Sequence, residues 1–414
     1  MKQKIINNLA NPRQLEELYR DNKATFKSAF NTIYPEIETN EIAQIWNERL
    51  NFKSKEISWG TRRELAFVII ASIIAGLIAK IPVFTTIEAE YFYTRNIALI
   101  VFPLLTAYFL WRQKQDVTKH IFSAVAILLS ALYINLLPNN PNSDTLILAC
   151  IHLPLFLWAV LGFSFAGDHV NNYHKRLDFL RYNADLLVMT TIILIAGGLF
   201  TAVTLGLFTV IDIPLKEYYL QYVGIWGLAA APIVGTYLVQ TNPQLVNKVS
   251  PVIAKVFTPL VFMMLILYLL AIISTGKDPY NDRAFLFIFN ILLIGVMAII
   301  LFSIAETSKN SESKIGAWLL LGLAIVTVAV NGIALSAILF RISEWGITPN
   351  RIAILGGNLL ILTNLLIVTV QLFKTTKYSN ETEKVAKSIA TFLPIYCIWT
   401  MVVTFLFPII FNFQ

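Results

Sequence analysis

From Glu64 to Gln414 the sequence is a succession of apolar stretches separated by short polar turns. Each approaches the length that a helix rising 1.5 Å per residue needs to cross about 30 Å of hydrocarbon. A backbone in hydrocarbon must satisfy its own hydrogen bonds, so such stretches fold as helices. The sequence therefore reads as an all-α, polytopic α-helical membrane protein with about eleven transmembrane helices. Their cores fall at 64–82, 97–111, 121–137, 145–166, 186–211, 218–240, 252–273, 284–305, 315–340, 352–373 and 389–411. Composition agrees: 57% of the 414 residues are apolar and 14% charged, and the mean hydropathy is +0.66. A soluble domain carries about 25% charge, so a soluble enzyme, a disulfide scaffold and a disordered chain are excluded. Cys150 and Cys397 lie inside apolar runs, which leaves no disulfide framework and no cysteine-ligated metal site.

Residues 1–60 lack a long apolar run and are dense in charge, which marks a small cytoplasmic helical domain ahead of a transmembrane bundle over 61–414. Asn11 before Pro12, and Asn40 before Glu41, read as helix starts. Helical spacing predicts three short helices with inward faces at Leu15, Leu18 and Tyr19, at Phe26, Phe30 and Tyr34, and at Ile42, Ile45, Trp46 and Leu50. The leading reading of this region is a small helical domain resting on the membrane face; the sharper alternative is a binding site for a cytosolic protein partner. Under the eleven-span reading, 25 of the 32 Lys and Arg lie on the amino-terminal side of the membrane. The positive-inside rule then places the N-terminus in the cytoplasm and the C-terminus outside. That rule, with attraction to anionic membrane lipids, explains the net charge of +7 without a nucleic-acid partner.

Polar residues inside the spans are the candidates for function, because each is costly there unless satisfied. Lys80 and Lys255 fall near span ends, where a lysine can snorkel to the headgroups. Asn290, Asn331, Asn358 and Asn364 lie in the outer halves of their spans, Asn290 and Asn358 about 9 Å deep at 1.5 Å per residue. His152, two residues before Pro154, lies at a similar depth. Either these amides join helices, each bond contributing about 0.6–2 kcal/mol, or they line a polar cavity open to the outer side between the fourth, eighth, ninth and tenth spans. No carboxylate falls in mid-membrane, which argues against an ion-driven transporter. In the fifth span Gly197, Gly198 and Gly206 with Thr201, Thr204 and Thr209 form a small-residue face for close helix approach. Pro103, Pro232 and Pro394 would bend their helices.

The turn after the ninth span is the most distinctive segment. Gly346 is placed to end one helix, with Thr348 and Pro349 to start the next. Glu344 stands between Arg341 and Arg351, either as an ion pair locking the turn or with the arginines facing an anionic group. The pattern R-x-x-E-x-G-x-T-x-x-R, the amino-terminal helical region and the run Arg181-Tyr-Asn-Ala-Asp185 before a long span together resemble an uncharacterised family of bacterial multi-pass membrane proteins, domain of unknown function family 4153. The resemblance covers the chain from about Trp59 onward and implies a bacterial inner-membrane protein. It supplies no activity, cofactor or catalytic residue.

Catalytic signatures are absent or incomplete. No zinc H-E-x-x-H, phosphate-binding G-x-x-x-x-G-K or dinucleotide G-x-G-x-x-G occurs. Gly162-Phe-Ser164-Phe-Ala166 imitates a nucleophile elbow but lies in an apolar helix. Asp168, His169, His174 and Asp178 share a cytoplasmic loop that reads first as a solvated interfacial loop and only second as a metal site, so no metal or other cofactor is expected. Glu88 and Glu90 sit in an outer loop too short for the donor-binding domain of a lipid-linked transferase. The leading reading is substrate binding or transport through an outward-facing polar cavity. The alternatives are a scaffold or sensor that recruits a partner through residues 1–60 and, behind it, a lipid-linked transferase.

Overall fold

The computed structural model describes residues 1–9, 11–21, 23–51, 60–113, 115–140, 142–210, 214, 216–245, 258–263, 265–267, 269–270, 280, 283–307, 314–377 and 382–414. Among them the regular elements are all helical and no strand forms. The chain divides into two compact units, Met1–Ser58 and Trp59–Gln414.

The first unit has four helices: α1 (Lys2–Asn7), α2 (Pro12–Asp21), α3 (Lys23–Ile37) and α4 (Glu41–Asn51). The sequence indicated three; α1 is the addition, and it contributes the fully buried Ile5. Asn11 and Asn40 cap α2 and α4, their Oδ1 atoms accepting from Gln14 N at 3.3 Å and Ile42 N at 2.9 Å. The core is aromatic: Trp46 packs against Phe26 and Tyr19 with ring centroids 5.1 and 5.6 Å apart. Ile45, expected inside, is 61% exposed. Ala43, Trp46 and Leu50 set the inward face of α4, and position 45 is about 100° from its neighbour 46 on the side away from 43. Arg49 covers Trp46 and pairs with Glu16 at 2.8 Å. The hydrogen bond from Arg20 and the charge of Arg49 hold the Glu16 carboxyl below the ordinary carboxylate range.

The second unit is a helical bundle. Its helices are α5 (Arg62–Ala79), α6 (Ala89–Arg112), α7 (Val117–Leu136), α8 (Asp144–Ala166), α9 (Tyr173–Val210) and α10 (Ile225–Thr241). They continue with α11 (Thr258–Leu267), α12 (Arg283–Thr307), α13 (Lys314–Trp345), α14 (Pro349–Lys377) and α15 (Thr382–Met401). Among the described residues, eight helical segments are long and apolar enough to cross a membrane. The expected eleven are not reached on that criterion. Helix α5 carries Arg62, Arg63 and Glu64 within its 18 residues, and the described parts of α11 and of the apolar core of α12 cover only Thr258–Leu267 and Leu293–Ile304. The chain is an all-α, multi-pass membrane protein.

Helix α7 shows what kind of surface this is. It buries Ser123 and Ser130 completely and exposes Leu128 at 61%. Such a helix is inside-out for water and suited to hydrocarbon, where small polar residues favour helix contacts. Ser123 meets Ser164 of α8 with 3.2 Å between the hydroxyl oxygens. Two principal cores lie side by side. One joins α5, α6, α8, α9 and α10 around Phe109, Phe179 and Tyr182; the other joins α9 and α11–α15 around Leu323, Leu365 and Ile389. Helix α9 contributes to both, and Trp158 of α8 packs against both.

Helix α9 spans 38 residues, where the hydropathy pattern placed a span only at 186–211. Its charged first half is helical too, and buries Leu177 and Leu180. It also brings Asp185, 8% exposed, into the bundle, where the sequence reading placed no carboxylate. Of the small-residue face, Gly197 and Gly198 make no close approach among the described residues: a Cβ added at either would meet nothing within 4 Å. Thr201 and Thr204 bond back to carbonyls four residues earlier, and the side chains of Gly206 and Thr209 lie outside the described residues.

Candidate functional site

Helices α8, α12, α14 and α15 enclose a cavity of about 380 Å³. Helical periodicity aligns its walls. Leu148, His152, Leu155 and Trp158 form one face of α8, and Ala353, Gly357, Asn358 and Ile361 one face of α14. Asn290, Ile294, Met297 and Leu301 come from α12; Leu393, Tyr396, Trp399 and Thr400 come from α15. A glycine makes the geometry possible: a Cβ on Gly356 would stand 2.1 Å from Cζ2 of Trp399, so only glycine lets that indole seat against α14. Its neighbour Gly357 faces the cavity, and a Cβ there would meet nothing closer than the Trp399 nitrogen at 4.0 Å.

The lining carries no acidic, lysine or arginine side chain; its polar members are His152, Asn290, Asn358, Tyr396 and Thr400. His152 Nδ1 lies 2.9 Å from the Leu148 carbonyl, and a neutral ring donating there presents Nε2 as an acceptor. The Tyr396 hydroxyl accepts from Asn364 Nδ2 at 3.1 Å, which leaves its own proton to donate. Thr400 donates to the Cys397 carbonyl at 2.8 Å. Asn358 is 4% exposed, and its Nδ2 has no hydrogen-bond partner among the described residues.

The sequence reading is thus brought together in part. His152, Asn290 and Asn358, 206 residues apart at the extremes, line one cavity. Asn331 and Asn364 do not. Asn331 is fully buried with neither amide atom bonded among the described residues, and its neighbour Val330 points α13 into the core shared with α12, α14 and α15. Asn364 is fully buried and reaches the cavity only through Tyr396. The fourth wall is α15, not the ninth span, and the lining is mainly apolar where a polar one was expected. Tyr396 and Thr400 were missed because an aromatic and a back-bonded threonine are ordinary in a membrane helix.

The turn between α13 and α14 is built locally. Gly346 has φ +78°, its N–H bonds the Ile342 carbonyl at 2.9 Å, and Thr348 Oγ1 accepts from Arg351 N at 3.3 Å. Glu344 forms no ion pair with either arginine among the described residues. Arg351 instead donates to the carbonyls of Trp345 and Gly346 at 2.7 and 2.6 Å, satisfying the end of α13. Arg341 donates to the Tyr280 carbonyl at 2.9 Å, and both guanidinium groups face the Trp345 ring. The arginines serve the backbone, which had more unsatisfied acceptors than the exposed Glu344 had need of a partner.

Several buried polar groups outside the cavity are fully engaged. Tyr108 donates to Glu64 at 2.6 Å, and Arg112 reaches Tyr108 at 3.1 Å and Gln240 Oε1 at 2.7 Å, joining α5, α6 and α10. Arg95, 3% exposed, donates to the Ile134 carbonyl at the end of α7 at 2.6 Å. Asn96 and Asn135 exchange reciprocal amide bonds of 3.0 and 2.7 Å. Lys80 does not snorkel: it is fully buried and donates to the Gln221 carbonyl at 2.8 Å, in the π-helical turn Leu220–Gly224 that leads into α10. Lys255 lies outside the described residues.

The polar loop before α9 holds no metal cluster among the described residues. Asp168 pairs with Lys119, Asp178 with Arg181, and His174 approaches Glu383 at 3.8 Å, so the possible ligands are drawn apart. Ser164 is fully buried and back-bonded to Val160, which removes the nucleophile reading. Glu88 and Glu90 are exposed at the start of α6. Comparison of the chain with family models, with curated proteins and with solved structures gives no match.

Proposed function

We propose that this protein binds a small molecule in the cavity between α8, α12, α14 and α15 and moves or presents it across the outer half of the membrane. In this proposal eleven helices, α5 to α15, cross a bacterial inner membrane with the N-terminus cytoplasmic and the C-terminus outside. The positive-inside asymmetry and the resemblance to family 4153 support that placement. The observation that carries the binding reading is Asn358, a buried amide with an unpartnered donor in the wall of a cavity. Native proteins pair nearly all such groups, and a molecule in the cavity would supply the partner that Asn358 lacks. A volume of 380 Å³ lies within the range of small-molecule sites.

Native mass spectrometry of the chain released into a mild detergent tests this. Wild type should carry a bound small molecule that Gly357→Leu, which adds a side chain into the cavity from a position where a Cβ has room, has lost. Equal occupancy of both would overturn the reading.

A further inference from the structure

We propose that the occupant of this cavity is an uncharged amphiphile, an apolar chain bearing one neutral polar group such as a hydroxyl or carbonyl, and that it enters from the bilayer. The proposal rests on the binding reading above and specifies its ligand.

Three features of the walls define the class. First, no charged side chain lines the cavity, so a charged headgroup would be buried without a counterion, a cost that desolvation makes prohibitive. Second, the polar side chains of the lining are all neutral, and Asn358 Nδ2 lacks a partner that a hydroxyl or carbonyl would supply. The Tyr396 hydroxyl has a proton to donate, and His152 Nε2 is an acceptor. Third, Leu155 and Ile294, which belong to the lining, are 48% and 61% exposed, so other parts of the protein do not seal the cavity over them. A molecule already dissolved in the bilayer reaches the site there without passing through water. At about 30 Å³ per non-hydrogen atom, the liquid-water value, the volume holds roughly a dozen such atoms, which is a short chain and its polar group.

Two tryptophans of the wall, Trp158 and Trp399, supply the readout, since bromine quenches indole fluorescence on contact. The full chain in phosphatidylcholine nanodiscs is titrated with three probes of equal length: bromoundecanol, bromoundecanoate in its ionised form and bromoundecane. Bromoundecanol should quench saturably, with an amplitude that falls in Trp399→Phe, and bromoundecanoate should need at least about tenfold more for half-saturation. Bromoundecane should quench without saturating. Asn358→Leu should raise the half-saturation for bromoundecanol roughly five- to tenfold, the equivalent of one buried hydrogen bond. Gly357→Leu, which removes none of the polar wall side chains, should abolish the saturable component. Tighter binding of bromoundecanoate, or an unchanged half-saturation in Asn358→Leu, would overturn the ligand class while leaving the cavity a binding site. Absence of saturable quenching by every probe, together with equal occupancy of wild type and Gly357→Leu in the mass spectrum, would overturn both.

Discussion

The two halves of the bundle bury different kinds of polar group. Around α5, α6, α7 and α10, Glu64, Lys80, Arg95, Asn96 and Asn135 each meet a partner, and the partner lies on another helix. Around α8, α12, α14 and α15 the polar groups are amides, a histidine and a tyrosine, and Asn358 Nδ2 and Asn364 Oδ1 have no partner among the described residues. In hydrocarbon an unpaired group costs free energy and a paired one joins two helices. The charged and amide groups of the first half therefore join helices, although the buried Ser72 and Thr106 hydroxyls have no partner among the described residues, whereas the second half keeps an amide donor unpaired at a cost to the fold. Where a polar residue contributes nothing to holding the bundle, a role in holding something else is the economical explanation.

Substitutions in the two halves should separate along this line. Glu64→Leu leaves the Tyr108 hydroxyl without an acceptor and Arg112 without its carboxylate; denaturation should report a loss of about 3 kcal/mol, the low end for a broken buried pair because Arg112 is 33% exposed. Gly356→Ala forces a methyl into Trp399 and should lose about 1–3 kcal/mol, with a shift in tryptophan emission. Asn96→Leu should lose about 1 kcal/mol, and adding Asn135→Leu should cost less than a second such loss, since both orphaned amides are then gone. Asn358→Leu should leave stability unchanged or raise it by up to about 1 kcal/mol, because it removes a buried donor with no bond to lose. A loss at Asn358 as large as that at Glu64 would erase the distinction.

The smallest effect lies in the amino-terminal unit. Arg20 and Arg49 hold the Glu16 carboxyl below its ordinary value, so its stabilising contribution is complete above the ordinary carboxylate range and fades as pH falls through the lower folded value. Hydrogen exchange in α2 and α4 should accelerate over that interval, and Glu16→Gln should remove the pH dependence.

What the sequence disclosed was local. Asn11, Asn40 and the Gly346-Ile-Thr348-Pro349 turn were legible because a cap and its helix lie within four residues. His152, Asn290 and Asn358 stood out as polar letters in apolar runs, but their meeting depends on how four helices are rotated. The same arithmetic placed Asn331 and Asn364 beside them, and rotation turned both elsewhere. Lys80 was misread because its acceptor is 141 residues away, in a π-helical turn with no sequence signal. The length of α9 was hidden by Lys175, Arg176, Asp178, Arg181 and Asp185, charges that lower hydropathy without ending a helix. Span counting suffers most from such segments, since α5 fails on charge while its helix persists.

The most direct test of the account is an experimental density map of the protein in native lipid at a resolution that shows individual side chains. The account predicts density between α8, α12, α14 and α15 with a polar atom within about 3 Å of Asn358 Nδ2. A cavity closed by repacked side chains, with Asn358 bonded to a neighbouring helix, would contradict it.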